Sequence, residues 1–237
     1  MKHNIIEAKR VIKGHQIDPV FEVPIFSGRR SEVLEIVTGK MNKKAVGKPL
    51  FVVTLNTEML TNSIGDKTYK QVLLDADLLI PDSNGLRVLG VKHVYAGRKL
   101  VEDLLLMKKY RVFYTGGFEG VVDKMISKYG GFGDENIEDP KIITKINKYK
   151  PDLLLVAFGG GVKQEKWIHS RLKSLKAKVV IGVGGTFDTL TGKIKLPPTW
   201  MEKIGLEWLW RLIQQPWRIK RQIKLLQFLQ IVWRRRK

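Results

Sequence analysis

Three sets of side chains in this sequence have the types and positions for chemistry. Asp82 follows the apolar run Leu78-Leu79-Ile80-Pro81, and a carboxylate there could take a proton from a hydroxyl as that hydroxyl attacks. The Asp82-Ser83-Asn84-Gly85 run is equally a plain turn signal. Thr54 and Asn56 follow another apolar run, Leu50 to Val53. Their hydroxyl and amide can hold sugar hydroxyls or phosphate oxygens without charge, or can simply cap a helix. The third set is backbone: Thr115-Gly116-Gly117, Gly159-Gly160-Gly161 and Gly182-Val183-Gly184-Gly185. Glycine lets peptide N–H groups approach a phosphate, and a following helix adds a favourable dipole. None has the full dinucleotide or P-loop spacing, but three such turns in succession point to a nucleotide or phosphorylated ligand. Asp75-Ala76-Asp77 resembles a metal-binding pair, yet it precedes its strand and reads as a solvated helix end, so no metal is assigned to it.

The elements that position these groups alternate. Strands are predicted at 50–54, 78–80, 111–114, 153–158 and 179–181, with helices over Arg30 to Asn42, Glu119 to Tyr129 and Lys163 to Leu172. Short leucine-rich or β-branched runs alternating with helices imply parallel strands joined by crossovers. The expected fold is α/β: a doubly wound, mostly parallel, Rossmann-like sheet with a helical, basic C-terminal appendage. Ligands of such sheets bind outside the carboxyl ends of the strands, where nearly all these residues fall. Residues 1–19 read as a loosely ordered polar extension, 20–201 as the α/β domain and 202–237 as the appendage.

In the appendage, helices are expected from about Glu202 to Gln214 and from Pro216 onward, proline suiting a first turn. Ile219, Ile223 and Leu226 make an apolar stripe, with Lys220, Arg221 and Lys224 pointing largely away from it. Leu225 to Trp233 is almost wholly apolar, too short to span a bilayer, and Arg234-Arg235-Arg236-Lys237 follows. Trp217, Phe228, Trp233, Arg234, Arg235 and Arg236 are therefore expected at an anionic membrane surface. A helix packed on the core with a solvated basic end is the plainer alternative.

Composition narrows the partners. The 237 residues carry a formal charge of +20, and no acidic residue follows Glu207, which favours polyanions: anionic lipid, a phosphorylated substrate or nucleic acid. The absence of cysteine excludes disulfides and thiolate chemistry. The N-terminal segment is basic without an apolar core, so it does not read as a signal peptide. The expectation is a cytoplasmic protein, peripheral on the inner face of the plasma membrane.

Five segments occur in one order: Thr54-Leu55-Asn56, Pro81-Asp82, Gln164-Glu165-Lys166-Trp167, Gly182-Val183-Gly184-Gly185-Thr186-Phe187-Asp188 and Gly205-Leu206-Glu207-Trp208-Leu209. Together they closely resemble the WecG/TagA/CpsF family of bacterial glycosyltransferases (glycosyltransferase family 26), over about residues 20 to 222. The resemblance implies inverting, metal-independent transfer from a UDP-sugar, with no cofactor. The sugar is typically N-acetylmannosamine or its uronic acid, and the acceptor a polyprenyl-diphosphate-linked sugar. Such steps build teichoic-acid linkage units, enterobacterial common antigen or capsule-type polysaccharides.

Residue by residue, the family's base falls on Asp82, its Thr and Asn on Thr54 and Asn56, and its Gln-Glu pair on Gln164 and Glu165. Its appendage arginines fall on Arg211, Arg218 and Arg221. Gly116, Gly117, Gly184, Gly185 and Asp188 are expected to bind substrate with them. Three segments depart from the pattern. Ser83 stands where the family has a glycine after Pro-Asp. Val94-Tyr95-Ala96-Gly97-Arg98-Lys99 lacks the Arg and Asp of an Arg-x-x-Gly-x-Asp element, and Gly159 to Lys163 is longer than usual and has no proline.

The combined expectation is a metal-free site in which Asp82 deprotonates the acceptor and arginines from the tail hold the pyrophosphate. In one helical frame Arg211, Arg218 and Arg221 fall at i, i+7 and i+10, on one side. Homo-oligomerisation is compatible with this reading. The rival readings are a nucleic-acid-binding protein and an inactive homologue that binds nucleotide-sugar.

Overall fold

The computed structural model describes residues 15–18, 20–44, 47–158, 162–198, 200–201, 206–216 and 219–235. Six parallel strands build the sheet: β3 (Leu50–Leu55), β4 (Leu78–Pro81), β5 (Val112–Gly116), β6 (Phe132–Asp134), β7 (Leu153–Ala157) and β8 (Val179–Gly182). Their spatial order is β4-β3-β8-β7-β5-β6. The five predicted strands are all present, and the fold is the expected α/β doubly wound sheet.

Continuous apolar runs form these strands because both faces are covered. Phe51, Val53, Leu79, Phe113, Leu154, Val156 and Val180 point into one core. Their neighbours Val52, Leu78, Ile80, Tyr114, Leu153, Leu155, Val179 and Ile181 point into the other, as the period of two requires. Each fully buried aliphatic side chain stabilises the fold by roughly 1.5–3 kcal/mol.

The helices are α1 (Arg30–Met41), α2 (Thr57–Gly65), α3 (Lys67–Asp75), α4 (Gly97–Leu106), α5 (Val121–Tyr129), α6 (Ile142–Tyr149), α7 (Lys163–Arg171), α8 (Thr186–Leu190), α9 (Glu207–Gln214) and α10 (Ile219–Arg235), with a 3-10 turn over Asn84–Leu89. Val33, Val37 and Met41 are the buried stripe of α1. Helices α3 and α7 are joined by an ion pair, Asp66 to Lys166 at 2.6 Å, and by a hydrogen bond between Asp75 and His169 at 2.9 Å. Asp77 accepts from the Phe51 N–H at 2.9 Å and pairs with Lys48. The Asp75-Ala76-Asp77 segment therefore ties elements together at the amino ends of the strands.

Chain direction creates a switch point between β5 and β7. From β5 the chain passes outward to β6, whereas from β7 it passes the other way to β8. The crevice between the carboxyl ends of β5 and β7 is thus where an open α/β sheet takes its ligand.

Both ends of the chain depart from expectation. Within the supposed loose extension, His15–Ile17 forms β1, antiparallel to β2 (Pro24–Phe26). The buried Asp18 carboxylate then accepts the N–H groups of Val20 and Phe21 at 3.0 and 2.7 Å. At the other end Phe228, expected at a membrane, is fully buried and stacks on Phe21, centroids 5.4 Å apart and rings 8° from parallel. Val232 joins it in the core. Lys224 donates to Asn62 of α2, and Arg235 donates to the Val20 carbonyl. Lys224 thus points away from the apolar stripe, as expected, whereas Arg235, expected at a membrane, turns toward the domain. The opposite face of α10 carries Ile219, Ile223, Leu226, Leu229 and Trp233, all exposed, with Arg234 also exposed. Trp217, Arg218 and Arg236 lie outside the described residues, as does the side chain of Arg221.

Candidate functional site

The β3 and β4 ends form one wall of the site. Parallel pairing puts Leu55 opposite Pro81, and the Asp82 N–H continues the ladder by donating to the Leu55 carbonyl at 2.8 Å. The half-buried Asp82 is therefore set by the sheet itself. Its Oδ1 accepts the N–H of Gly97, the first residue of α4. Thr54 is packed against that same glycine: a Cβ at position 97 would lie 2.7 Å from Thr54 Cγ2. The Thr54 hydroxyl donates to the Gly182 carbonyl at 3.2 Å, which links this wall to β8. Thr54, Asp82 and Gly97 thus form a compact cluster. Asn56 takes the plainer of its two roles: its Oδ1 accepts the Met59 N–H at 3.0 Å as the N-cap of α2.

Gln164 and Glu165 lie at the start of α7 and are nearly inaccessible to water. One oxygen, Gln164 Oε1, accepts the Gly184 N–H at 2.8 Å and the Phe158 N–H at 3.3 Å. The residues after β7 and after β8 are thereby clamped together. The amide nitrogen of Gln164 donates to Glu165 Oε1 at 2.7 Å, which fixes the orientation of the amide. Gly182 makes room for this pair, since a Cβ there would lie 2.4 Å from Gln164 Nε2. Burial pushes the Glu165 carboxyl up to about 7, opposed by the pull of Gln164 and of the Tyr69 hydroxyl. Tyr69, on α3, is itself raised, first by its own burial and then by the negative charge of Glu165.

At the switch point the glycines serve the backbone. Gly116 has φ of +79°, and a Cβ there would lie 2.0 Å from the Ala157 carbonyl oxygen. The Gly117 N–H donates to that carbonyl at 2.7 Å. Two N–H groups expected to cradle phosphate, those of Gly117 and Gly184, are therefore spent on Ala157 and Gln164. Gly185 begins the short α8 and Asp188 is buried within it. Phe187 fills the space beneath, edge-on to Tyr114 at 5.8 Å. The Thr115 and Ser83 hydroxyls are buried without a hydrogen-bond partner.

The tail lies beside this cluster. Helix α10 packs on α2, and a Cβ at Gly85, three residues beyond Asp82, would lie 3.6 Å from Leu225 Cδ1. Of the three arginines, only the half-buried Arg211 has a described side chain. A separate cleft of about 390 Å³, lined by Leu105, Lys108, Tyr110, Val112 and Lys128 among others, opens at the amino ends of the strands. It contains none of the residues singled out above.

Sequence reading missed Gly97 and Tyr69. Gly97 sits inside a degraded motif and gives no signal of its own. Tyr69 reads as an ordinary apolar-face residue of a helix.

The chain matches the model of the family described as "Glycosyl transferase WecG/TagA/CpsF family" over residues 19–237. It is similar to proteins named N-acetylglucosaminyldiphosphoundecaprenol N-acetyl-beta-D-mannosaminyltransferase. The protein of that name from Bacillus subtilis (strain 168) is 29% identical over 229 residues, 89% of this chain and 88% of that protein. One from Bacillus spizizenii is 30% identical over 197 residues, covering 75% and 76%. One from Staphylococcus aureus (strain MW2) is 26% identical over 191 residues, covering 73% and 75%.

Proposed function

The chain belongs to the WecG/TagA/CpsF family of glycosyltransferases, and on that premise we propose that it transfers N-acetylmannosamine from a UDP-sugar to N-acetylglucosamine on a polyprenyl diphosphate. The sugar and acceptor come from the names of relatives aligned over most of their length. The uridine diphosphate donor rests on the family resemblance and on the switch-point crevice, the place where such sheets take nucleotides.

In the proposed reaction an acceptor hydroxyl oxygen attacks the anomeric carbon from the side opposite the leaving group. The new C–O bond forms as the bond to the β-phosphate oxygen breaks. UDP departs with the electron pair, the acceptor proton passes to the Asp82 carboxylate, and the anomeric centre inverts. Gly97 N–H holds the carboxylate in register, and Thr54 secures Gly97. We assign the charge left on UDP to Arg211, Arg218 and Arg221, whose guanidinium forks suit a pyrophosphate without a metal. The observation that carries this reading is the position of Asp82: a carboxylate fixed at a strand tip, with α10 packed alongside.

A lipid-linked acceptor would be met at a membrane surface. No helix among the described residues is long and apolar enough to cross one. We propose that the outer face of α10, Ile219, Ile223, Leu226, Leu229 and Trp233 with Arg234 beside it, lies on anionic lipid at the cytoplasmic leaflet. An interfacial helix needs this combination of apolar stripe and flanking cations. The product belongs to a cell-surface polymer of the teichoic-acid type. The test is UDP release from UDP-N-acetylmannosamine with a short polyprenyl-diphosphate N-acetylglucosamine acceptor. Turnover that needs both substrates supports the assignment, and none with any UDP-sugar would end it.

A further inference from the structure

Phe118 directly follows the Gly116-Gly117 turn at the carboxyl end of β5, on the rim of the switch-point crevice. The residue is 62% exposed. A single exposed aromatic is ordinary, but two features set this one apart. The backbone beneath it is fixed: Gly117 N–H donates to the Ala157 carbonyl at 2.7 Å, and the Phe118 carbonyl accepts the Val121 N–H at 3.0 Å. The ring is also met from another element, since Lys193, just after α8, places its ammonium 4.3 Å from the ring centroid. The contact therefore runs between the segment that follows β5 and the one that follows β8.

A ring with open surface on a hydrogen-bonded backbone, at a sheet's ligand-binding end and beside a lysine ammonium, suits a planar base attached to an anion. We propose that Phe118 is the stacking platform for the uracil of the donor, and that Lys193 leaves the ring to meet the donor's diphosphate. This rests on the reading of the donor as a uridine nucleotide. Stacking of a base on an aromatic side chain is worth about 1–3 kcal/mol by alanine substitution, or about 5- to 150-fold in affinity. None of the roles assigned above holds the base, so this platform would supply affinity for the nucleoside that the diphosphate contacts lack.

Calorimetric titration of UDP into the full-length protein, with Phe118→Ala, Phe118→Leu and Phe118→Trp, decides the question. The expected result is a loss of at least 5-fold in UDP affinity for Ala and Leu, retention within 2-fold for Trp, and a matching rise in donor KM with acceptor KM unchanged. The uracil H5 and H6 proton resonances should shift upfield on binding to the wild type, through the ring current, and lose that shift with Phe118→Leu. Lys193→Gln should weaken UDP binding and leave uridine binding nearly unchanged. Wild-type UDP affinity in Phe118→Ala, in a protein whose wild type does bind UDP, overturns the platform while leaving the donor reading standing. A wild type that binds no UDP removes both.

Discussion

The N–H of Gly97 donates to Oδ1 of Asp82 across 15 residues of sequence, from the first turn of one helix to the tip of a strand. The hydrogen bond holds the carboxylate in one orientation at the strand end. The same glycine has no room for a side chain, because Thr54 occupies the space. Carboxylate and backbone donor are therefore set by three residues from three different segments.

Replacing Asp82 by Asn keeps the shape and the hydrogen-bond acceptor but removes the proton acceptor. Asp82→Asn is expected to lower kcat by about 100-fold or more and to leave UDP affinity within about 2-fold, because the proposed role of the carboxylate is toward the acceptor. Steady-state kinetics with a UDP titration measure both. A large loss of UDP affinity instead would remove Asp82 from the base role.

Gly97→Ala places a methyl carbon against Thr54. Overpacking of this kind costs roughly 1–3 kcal/mol, and here the shift is transmitted to the donor that holds Asp82. The expected outcome is a lower kcat together with a lower Tm, both partly restored by Thr54→Ser, which removes the clashing methyl. Kinetics and thermal denaturation of the single and double variants test this.

Glu165 makes stability depend on pH. Its carboxyl ordinarily titrates near 4.5 and is held up to about 7 by burial, so the folded chain keeps a proton that the unfolded chain releases. The stabilisation is complete below the unfolded value and is lost as pH rises through the folded one. Glu165→Gln retains an acceptor for Gln164 without the titration. The advantage of the variant in ΔG should grow from pH 5 to pH 8 by up to about 3 kcal/mol. Chemical denaturation at the two pH values reads it directly, and parallel pH trends for variant and wild type would contradict it.

The two faces of α10 separate stability from membrane binding. Phe228→Ala opens a cavity against Phe21 and should cost about 3–5 kcal/mol. The double variant Ile223→Glu/Leu226→Glu changes only exposed positions. Its Tm should stay within a few degrees, while co-sedimentation with anionic vesicles falls sharply. Unchanged sedimentation would move the membrane contact elsewhere. Deleting 202–237 is a poor substitute, since it also strips the core of Phe228 and Val232.

Much of this fold was legible because its strands are buried on both faces and read as unbroken apolar runs. Strand β6 was not: it has three residues, lies at the sheet edge and presents an exposed Phe132. Strands β1 and β2 escaped for a similar reason, being three residues each and outside the main sheet. The tail misled in a different way. Leu225 to Trp233 is apolar but for Gln227 and Gln230, and the regular stripe of Ile219, Ile223 and Leu226 drew attention from the buried side, where Phe228 and Val232 lie. In the site, Asp82 and Thr54 announced themselves by standing at strand ends. The clamp by Gln164 did not, because its partners Phe158 and Gly184 lie in two other segments and only the closed sheet brings them to one amide. Asn56 shows the limit of residue type alone, since capping and sugar binding call for the same amide.

The stacking of Phe21 on Phe228 also sets an order of assembly. Phe21 and the outer side of α2 stay uncovered until α10 has been synthesised, although every strand and Asp82 itself precede it. A nascent chain that has finished its sheet but not α10 exposes a sticky aromatic surface, the kind of intermediate that recruits chaperones or aggregates. Burial of Phe21 is in this sense a late event, reached only when α10 folds back onto the segment that carries it.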